Sequence, residues 1–234
     1  MRLSEGEVHL WALPLDEAPL QQLEPAAFEL AADEQVRAER FRCAQARRAF
    51  IQTRMALRRV LGQYLDLPPS AIALSRGAQG KPQLSAGMGK LHFNVSHSGE
   101  LALIALAHAQ VGVDLEWQQA DLGWRELLPL CCHPAEQDDF RDVSDATGRA
   151  QMLRLLTAKE AYLKGRGEGL SLPLTAVCLH ANDESWQPRI EAPWDYGQDW
   201  WLQPLQLPAG YVGCLATPFP SPLIRFRPLD RADE

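Results

Sequence analysis

Asp114 and Glu116 stand two residues apart in the segment VGVDLE, which begins at Val111. Because alternate residues of a β-strand point to the same side, these carboxylates project together while Val113 and Leu115 face the core. Two close carboxylates repel each other unless a cation lies between them, and Mg²⁺ prefers such oxygen ligands. The segment therefore predicts a strand that carries a Mg²⁺ site. An ordinary solvated strand edge is the alternative for so short a motif.

A second charged group lies in the segment KEAYLKGRGEGL, which begins at Lys159. On a helix, Glu160 and Lys164 stand four residues apart on one face, in the order that favours an ion pair. Glycines at positions 165, 167 and 169 end the helix and let the backbone turn sharply or approach a ligand. A surface ion pair is the alternative. The glycines favour a site in which Glu160 completes a three-carboxylate Mg²⁺ site, and Lys159 and Lys164 offset phosphate charge.

The third group of chemical interest is the tripeptide GKP, with Lys81 at its centre, and the later segment FNVSHSG at 93–99. A histidine with a serine on either side in a turn offers several hydrogen-bond donors to one phosphate. A catalytic Ser–His pair is the alternative, but adjacent residues of a strand point to opposite sides, so Ser96 and His97 make poor partners. The sequence also lacks a GxSxG elbow. Phosphate binding is therefore the preferred interpretation.

Hydrophobic periodicity predicts the elements that carry these groups. Residues 33–65 have a helical pattern, in one or two pieces, with Phe50, Leu57, Leu61 and Tyr64 on one stripe. Strands are predicted over 8–15, 91–95, 101–107 and 111–116, interrupted helices over 124–164, and short strands over 174–227. The order of strand, helix and strands thus occurs twice. This pattern predicts an α+β protein with a first half at 1–110 and a second half at 111–234.

Composition limits the classes of function. With 46% hydrophobic residues in 234, the chain can bury a substantial core as one large domain or two small ones. A net charge of −7 argues against a nucleic-acid-binding protein. However, eight arginines and one acid lie between Arg37 and Arg59, which predicts a local basic surface for an anionic ligand or partner.

The remaining composition predicts a cytoplasmic protein. The N-terminal residues lack the layout of a signal peptide, and the apolar run at 101–107 is too short to cross a bilayer. The five cysteines have no CxxC spacing, which fits a reducing compartment better than a disulfide framework. We therefore expect neither a membrane nor a nucleic acid as partner.

Together, the segments FNVSHSGE, VGVDLE and KEAYLKGRGEGLSLPL resemble the motifs of the 4′-phosphopantetheinyl transferase superfamily in order and spacing. The best match is its two-domain, monomeric type, and the resemblance covers roughly residues 8 to 217. It implies transfer of the 4′-phosphopantetheine group of coenzyme A to a serine hydroxyl of an apo acyl or peptidyl carrier protein, releasing 3′,5′-ADP. It also implies two similar α+β halves, each with a helix on a small antiparallel sheet. A pseudo-twofold axis relates these halves, and the active site lies in the cleft between them.

Carried over by position, the resemblance implies Mg²⁺ ligands at Asp114, Glu116 and Glu160. Glu160 is the candidate general base and Glu116 the second choice. The implied contacts to coenzyme A are Arg76, Lys81, Asn94, Ser96, His97 and, at the pyrophosphate, Lys164. Among the first-half arginines we choose Arg54 for the 3′-phosphate, because the helical stripe places it beside the apolar face. The chain departs from many members at Leu156, where they have tryptophan.

Two other functions fit the same residues. One is a non-catalytic protein that binds coenzyme A or a carrier protein, and the other is a Mg²⁺-dependent phosphohydrolase that uses water as its nucleophile. The presence of all three carboxylates and both lysines favours the transferase. The sequence leaves open which carrier protein, from fatty-acid, polyketide or peptide synthesis, is the natural partner.

Overall fold

The computed structural model describes residues 1–15, 30–77, 79–118, 123–167, 172–181, 186–190 and 199–229. Gly169, one of the three glycines predicted to end the second long helix, lies outside the described residues. The helices and strands are, in chain order, β1 (Glu7–Pro14), α1 (Ala32–Glu39), α2 (Ala44–Leu65), β2 (Leu74–Arg76), β3 (Pro82–Leu84), β4 (His92–Ser98), β5 (Leu101–Ala107), β6 (Gly112–Trp117), α3 (Trp124–Cys131), α4 (Asp145–Arg166), β7 (Val177–Ala181), β8 (Trp186–Ile190), β9 (Trp201–Pro204), β10 (Tyr211–Thr217) and β11 (Leu223–Pro228).

The first sheet has the strand order β11-β1-β5-β4, and its central strand β5 is buried along its whole length. The sequence LALIALA explains this burial, because both faces of the strand are apolar. Ile104 and Leu106 pack with Leu57 and Leu61 of α2. The opposite face of β5 packs against the second half, in a cluster with Val113 and Leu115 of β6. The core is therefore continuous between the two halves.

Helix α2 carries the predicted apolar stripe and ends where the sequence indicates. Phe50, Leu57 and Leu61 are buried. The chain leaves the helix at Asp66, which adopts a left-handed conformation with φ 56°. Pro68 follows soon after and cannot continue a helix.

The second sheet has the strand order β6-β10-β9-β8-β7, and helix α4 packs on it. Ser144 begins the helix by accepting a hydrogen bond from the backbone N–H of Thr147, and Gly167 ends it with φ 79°. The helix approaches β6 so closely that a Cβ on Gly112 would lie 1.9 Å from the carbonyl oxygen of Ala161. Only glycine fits at this position, which fixes α4 directly against the strand of the carboxylates.

The α+β class is confirmed, and two details differ from the sequence-based prediction. The C-terminal strand β11 pairs in parallel with β1, so residues 223–228 complete the first sheet although they belong to the predicted second half. His97 lies within β4 rather than in a turn, because the strand extends to Ser98 and the chain turns at Gly99. The division of the chain near residue 110 stays a prediction.

Candidate active site

The two sheets meet along β4 and β6, each of which is the edge strand of its sheet. Because side chains alternate along a strand, every second residue of β4 faces β6. We call this line of contact the seam. Its hydrogen bonds run from the N–H of Val113 to Oδ1 of Asn94 at 2.8 Å, from Oγ of Ser96 to Oδ1 of Asp114 at 2.7 Å, and from Oγ of Ser98 to Oε2 of Glu116 at 2.8 Å.

Asp114 is the most constrained carboxylate of the seam, being only 3% exposed. Its Oδ1 accepts hydrogen bonds from Ser96 and from Nζ of Lys164, the latter at 2.5 Å. Its Oδ2 is buried and has no hydrogen-bond partner among the described residues. A buried carboxylate oxygen without a partner costs free energy, so this atom indicates a missing ligand.

Glu116 and Glu160 are half-buried, and each senses the charges of the seam. Burial raises the pKa of Glu116, the hydrogen bond from Ser98 opposes this, and the charge of Asp114 raises it further. Burial likewise raises the pKa of Glu160. The charge of Lys164 lowers this pKa, and the charges of Asp114 and Glu116 raise it further. β6 and α4 therefore place the three predicted ligands close enough for their charges to affect one another.

The side chains available at the seam decide whether a metal ion could bind there. Within the described ranges, no three His, Cys, Asp or Glu side chains stand close enough together to enclose a metal. The donor chemistry nevertheless suits a hard cation, because Asp114 offers an unpartnered oxygen and the two other groups are carboxylates that repel each other. The assignment of Asp114, Glu116 and Glu160 as Mg²⁺ ligands stays a prediction.

A cavity of about 230 Å³ lies on the first-half side of β4, and we call it the first-half cavity. Oγ1 of Thr53, a buried residue, finds no hydrogen-bond partner among the described residues, which again indicates a polar ligand. His97 is exposed but stands among the cavity walls, and desolvation followed by the charge of Lys164 lowers its pKa. The lining residues include Arg37, Thr53, Arg54, Gly80, Pro82, Asn94 and His97.

Arg54 lines this cavity, and it has a neighbour that the sequence did not reveal. Its Nε lies 3.4 Å from Oε1 of Glu34, a buried acid of α1. The same carboxylate accepts a 2.7 Å hydrogen bond from Nε of Arg58, which is also buried. Desolvation lowers the pKa of Arg54, and the charge of Glu34 opposes that effect. Arg54 is thus a partly paired cation with one side turned to the cavity.

Arg76 lies beside a larger surface cavity of about 820 Å³, which we call the basic groove. Arg37 and Arg40 line the groove as well, and Arg37 also lines the first-half cavity. Arg37 was not singled out from the sequence, although it begins the arginine-rich stretch. The only signal for it was that local excess of positive charge.

Two predicted contacts to coenzyme A have other partners in the structure. Lys81 donates from Nζ to the carbonyl oxygens of Val111 at 3.2 Å and Gly165 at 2.9 Å, both in the second half. Burial lowers its pKa to about 8. The hydroxyl of Ser96 bridges Asp114 and Lys164, so it holds the carboxylate of the seam.

The prediction that Lys159 offsets phosphate charge is corrected by its burial. Its side chain is fully buried, and Nζ donates to the carbonyl oxygens of Cys131 and Leu174 and, at 2.5 Å, to Oε2 of Glu136. An ammonium group has three N–H donors, and all three are used here. Lys159 therefore points into the second half and away from the cleft, unlike Lys164 on the same helix.

Ser98 belongs to the seam, but the sequence-based prediction of the site did not include it. Its hydroxyl donates to Glu116 and accepts from the N–H of Trp117. The signal was available, because Asn94, Ser96 and Ser98 are polar residues at a spacing of two. That spacing places all three on one side of a strand that was predicted to end too early.

Two family models match the chain. Residues 17–109 match the family model described as 4′-phosphopantetheinyl transferase, N-terminal, and residues 110–216 match that of the 4′-phosphopantetheinyl transferase superfamily. The 4′-phosphopantetheinyl transferase HetI of Nostoc sp. is 37% identical over 174 residues, which is 73% of each chain. The protein slr0495 of Synechocystis sp. is 31% identical over 76% of this chain and 72% of its own. The 4′-phosphopantetheinyl transferase Sfp of Bacillus subtilis is 28% identical over 69% of this chain and 71% of its own.

The chain belongs to the 4′-phosphopantetheinyl transferase superfamily. It is an enzyme of the class that transfers phosphopantetheine from coenzyme A to carrier proteins.

Across the described ranges, no helix has both the length and the apolar composition needed to span a bilayer.

Proposed function

We propose that transfer takes place where the seam meets the first-half cavity, with Asp114, Glu116, Glu160 and Lys164 at the reacting phosphate. The observation that supports this most directly is the alternation of β4. Ser96 bonds Asp114 on one side of the strand, while His97, the next residue, lines the arginine-rich cavity on the other. Coenzyme A carries a 3′-phosphate and a pyrophosphate. Strand β4 thus lies between the seam and the first-half cavity, which provide one site for each of these two anionic groups.

The first-half cavity is the proposed place for the 3′-phosphate. Arg37, Arg54 and His97 line it, and charge-assisted hydrogen bonds to phosphate are among the stronger ones in proteins. Thr53 adds a hydroxyl without a partner among the described residues. Glu34 neutralises only part of the charge, because it is shared between Arg54 and Arg58. The cavity therefore keeps a surplus of positive charge for an anion.

Asp114, Glu116 and Glu160 are the residues that would hold Mg²⁺. When bound, the ion supplies neutralisation of the negative charge on the pyrophosphate and the leaving group. Lys164 assists from the protein side. The described residues use two of its three N–H donors, on Asp114 and Ser96, and its side chain is 33% exposed. Its third N–H is thus available to a phosphate oxygen of the substrate.

The attacking group comes from the partner protein. The serine oxygen of the carrier forms a bond to the phosphorus that bears the pantetheine arm, the bond from this phosphorus to 3′,5′-ADP breaks, and the serine proton leaves to a base. Glu160 is the proposed base, and Glu116 the alternative. A carboxylate held at the seam can accept that proton.

The partner is proposed to be an acyl or peptidyl carrier protein that docks partly through charge. The basic groove offers Arg37, Arg40 and Arg76 on the surface of a chain whose net charge is −7. Local positive charge of this kind attracts an acidic partner and fixes its orientation. Rising salt should therefore slow association, since exposed charges are screened over about 10 Å at 0.1 M.

We further propose a monomer that works in the cytoplasm. The five cysteines form no disulfide within the described residues, and four of them are buried, which suits a reducing compartment. Sedimentation at several concentrations tests the monomer.

Mass spectrometry of an apo carrier protein incubated with coenzyme A and Mg²⁺ tests the function. Transfer adds the mass of one phosphopantetheine arm and releases 3′,5′-ADP. Release of inorganic phosphate without that gain would indicate a phosphohydrolase, and tight binding without either product would indicate a non-catalytic protein. A panel of fatty-acid, polyketide and peptide-synthetase carriers identifies the preferred partner.

The variant Asp114→Asn tests the metal assignment. We expect a loss of roughly 10²-fold or more in the rate, as is typical when electrostatic stabilisation of a transition state is removed. Calorimetry should also show weaker Mg²⁺ binding. The exposed Asp142 provides the control, because Asp142→Asn removes the same charge at a residue that takes no part in the seam. Full activity of Asp114→Asn with unaltered Mg²⁺ binding would refute the assignment.

A further inference from the structure

Lys81 lies in the turn of the β2–β3 hairpin, directly before β3, and its side chain reaches the second half of the molecule. The N–H of Gly77 donates to the carbonyl of Lys81 at 2.9 Å, and Gly80 adopts φ 81°, a conformation open to glycine at little cost. From there the aliphatic stem of Lys81 passes the end of α4, since a Cβ on Gly167 would lie 3.5 Å from Cδ of Lys81.

The two acceptors of the Lys81 ammonium are backbone groups of the second half. Gly165 belongs to the last turn of α4, where carbonyl oxygens have no partner within the helix and the helix dipole is negative. Val111 directly precedes β6. The close contact of Gly112 with α4 brings these two carbonyls together, so one cation reaches both.

We propose that Lys81 is a positioning residue that fastens the end of α4 and the start of β6 to the first half. This role rests on the proposed function. Lys164 directly precedes Gly165, and Asp114 follows Val111 by three residues. We call this set of contacts of Lys81 the clamp. It therefore fixes the position of Lys164 and Asp114, which meet at 2.5 Å in the seam, relative to the substrate in the first-half cavity.

The hairpin tip also touches the substrate site, which links the clamp to binding. Gly80 and Pro82, on either side of Lys81, line the first-half cavity, while Lys81 itself lines a separate cavity with Gly165 and Gly167. Its ammonium thus faces the second half and not the proposed 3′-phosphate. The hydrogen bonds to Val111 and Gly165 use two of its three N–H donors.

The test compares Lys81→Met with Lys81→Arg and with Lys90→Met as a control. Lys90 is an exposed lysine of the same half. Three quantities are measured on the full chain: the Kd of coenzyme A by calorimetry, the kcat with a carrier protein, and hydrogen exchange of the amides at 163–167. We expect Lys81→Met to lower kcat about tenfold or more, because misplacement of catalytic groups is costly. The Kd should stay within about threefold and the amides should exchange faster. Lys81→Arg should restore part of kcat, and Lys90→Met should change none of these quantities.

Two outcomes would overturn the proposal. Weaker binding of coenzyme A with unchanged kcat at saturation and unchanged exchange would make Lys81 a direct ligand. Values equal to those of the wild type in all three measurements would leave it no role. If Lys81→Met does not fold, Lys81→Gln, which keeps a donor, is judged by the same outcomes. A wild type that modifies no carrier protein would refute the proposed function instead, and the exchange measurement would still decide whether the clamp exists.

Discussion

Arg58 and Lys159 occupy the same place in the two halves of the protein. Each lies fourteen residues after the first residue of a 22-residue helix, α2 or α4. Arg58 donates to Glu34 at 2.7 Å and Lys159 to Glu136 at 2.5 Å, and each cation also donates to two backbone carbonyls. Each acid accepts a further hydrogen bond from the N–H three residues before it. This repeated arrangement supports a pseudo-twofold relation between the halves.

The buried pair in the second half should contribute strongly to folding. Lys159→Met leaves the carboxylate of Glu136 buried without its cation, which typically costs about 3–5 kcal/mol. We expect the free energy of unfolding, measured in urea, to fall by this amount. The double variant Lys159→Met/Glu136→Gln should be more stable than Lys159→Met alone, because it removes the uncompensated charge.

The exposed pair Arg141–Asp138 is the control for this experiment. Its side chains are 74% and 67% exposed, so Arg141→Ala should change stability by about 1 kcal/mol or less. Equal stability of Lys159→Met and the wild type would contradict the role given to the buried pair.

Patterns with a short period were predictable from the sequence. The alternation around Asp114 and Glu116 placed both on one side of a strand, and the spacing of Leu57 and Leu61 gave the buried face of α2. The class of fold followed from the order of these elements. These features depend on neighbours along the chain, which the sequence displays directly.

Contacts between distant segments were not predictable in the same way. Glu34 lies 24 residues before Arg58, on a different helix, so no helical spacing joins them. The same holds for Glu136 and Lys159, and it explains why Lys159 was wrongly assigned to the cleft. The parallel pairing of β11 with β1 joins opposite ends of the chain, and only the packed sheet reveals it.

Ser98 should position Glu116 for catalysis. Ser98→Ala removes the 2.8 Å hydrogen bond to Glu116 and the acceptor for the N–H of Trp117. A net hydrogen bond to a charged group is worth about 1.5–3 kcal/mol, so we expect kcat to fall about tenfold or more while the Kd of coenzyme A changes little. Steady-state kinetics with a carrier protein measures this. Ser70→Ala, at an exposed site of the same half, is the control, and equal kcat for the two variants would argue against the role of Ser98.

Gly112 should tolerate no side chain. A Cβ there would lie 1.9 Å from the carbonyl oxygen of Ala161 and 2.4 Å from the N of Gly165, both backbone atoms that cannot rotate away. Gly112→Ala must therefore push α4 from β6 and should cost about 3 kcal/mol or more, at or above the usual cost of overpacking. Thermal unfolding measures the loss. Gly77→Ala, where the nearest atom lies at 3.6 Å, should be nearly neutral, and similar Tm values for both variants would contradict the close packing.

His97 should make the binding of coenzyme A depend on pH. Desolvation and the charge of Lys164 hold the pKa of His97 below its ordinary value, so the free imidazole is mostly neutral at neutral pH. A bound 3′-phosphate favours the protonated ring and raises that pKa. Binding then takes up a proton, and affinity increases as pH falls from about 8 towards 6.5. Below the lowered pKa of the free protein the ring is already protonated, and the dependence on pH should level off.

Calorimetry in buffers of different ionisation enthalpy measures this proton uptake. Because His97 is exposed, we expect a modest gain, about threefold in affinity over that range, below the tenfold per pH unit that one proton could give. Dephospho-coenzyme A lacks the 3′-phosphate and should bind with less proton uptake. His97→Gln should abolish the difference between the two ligands in their dependence on pH. If this variant keeps the full difference, another group in the first-half cavity reads the 3′-phosphate, and Arg37 and Arg54 become the residues to replace next.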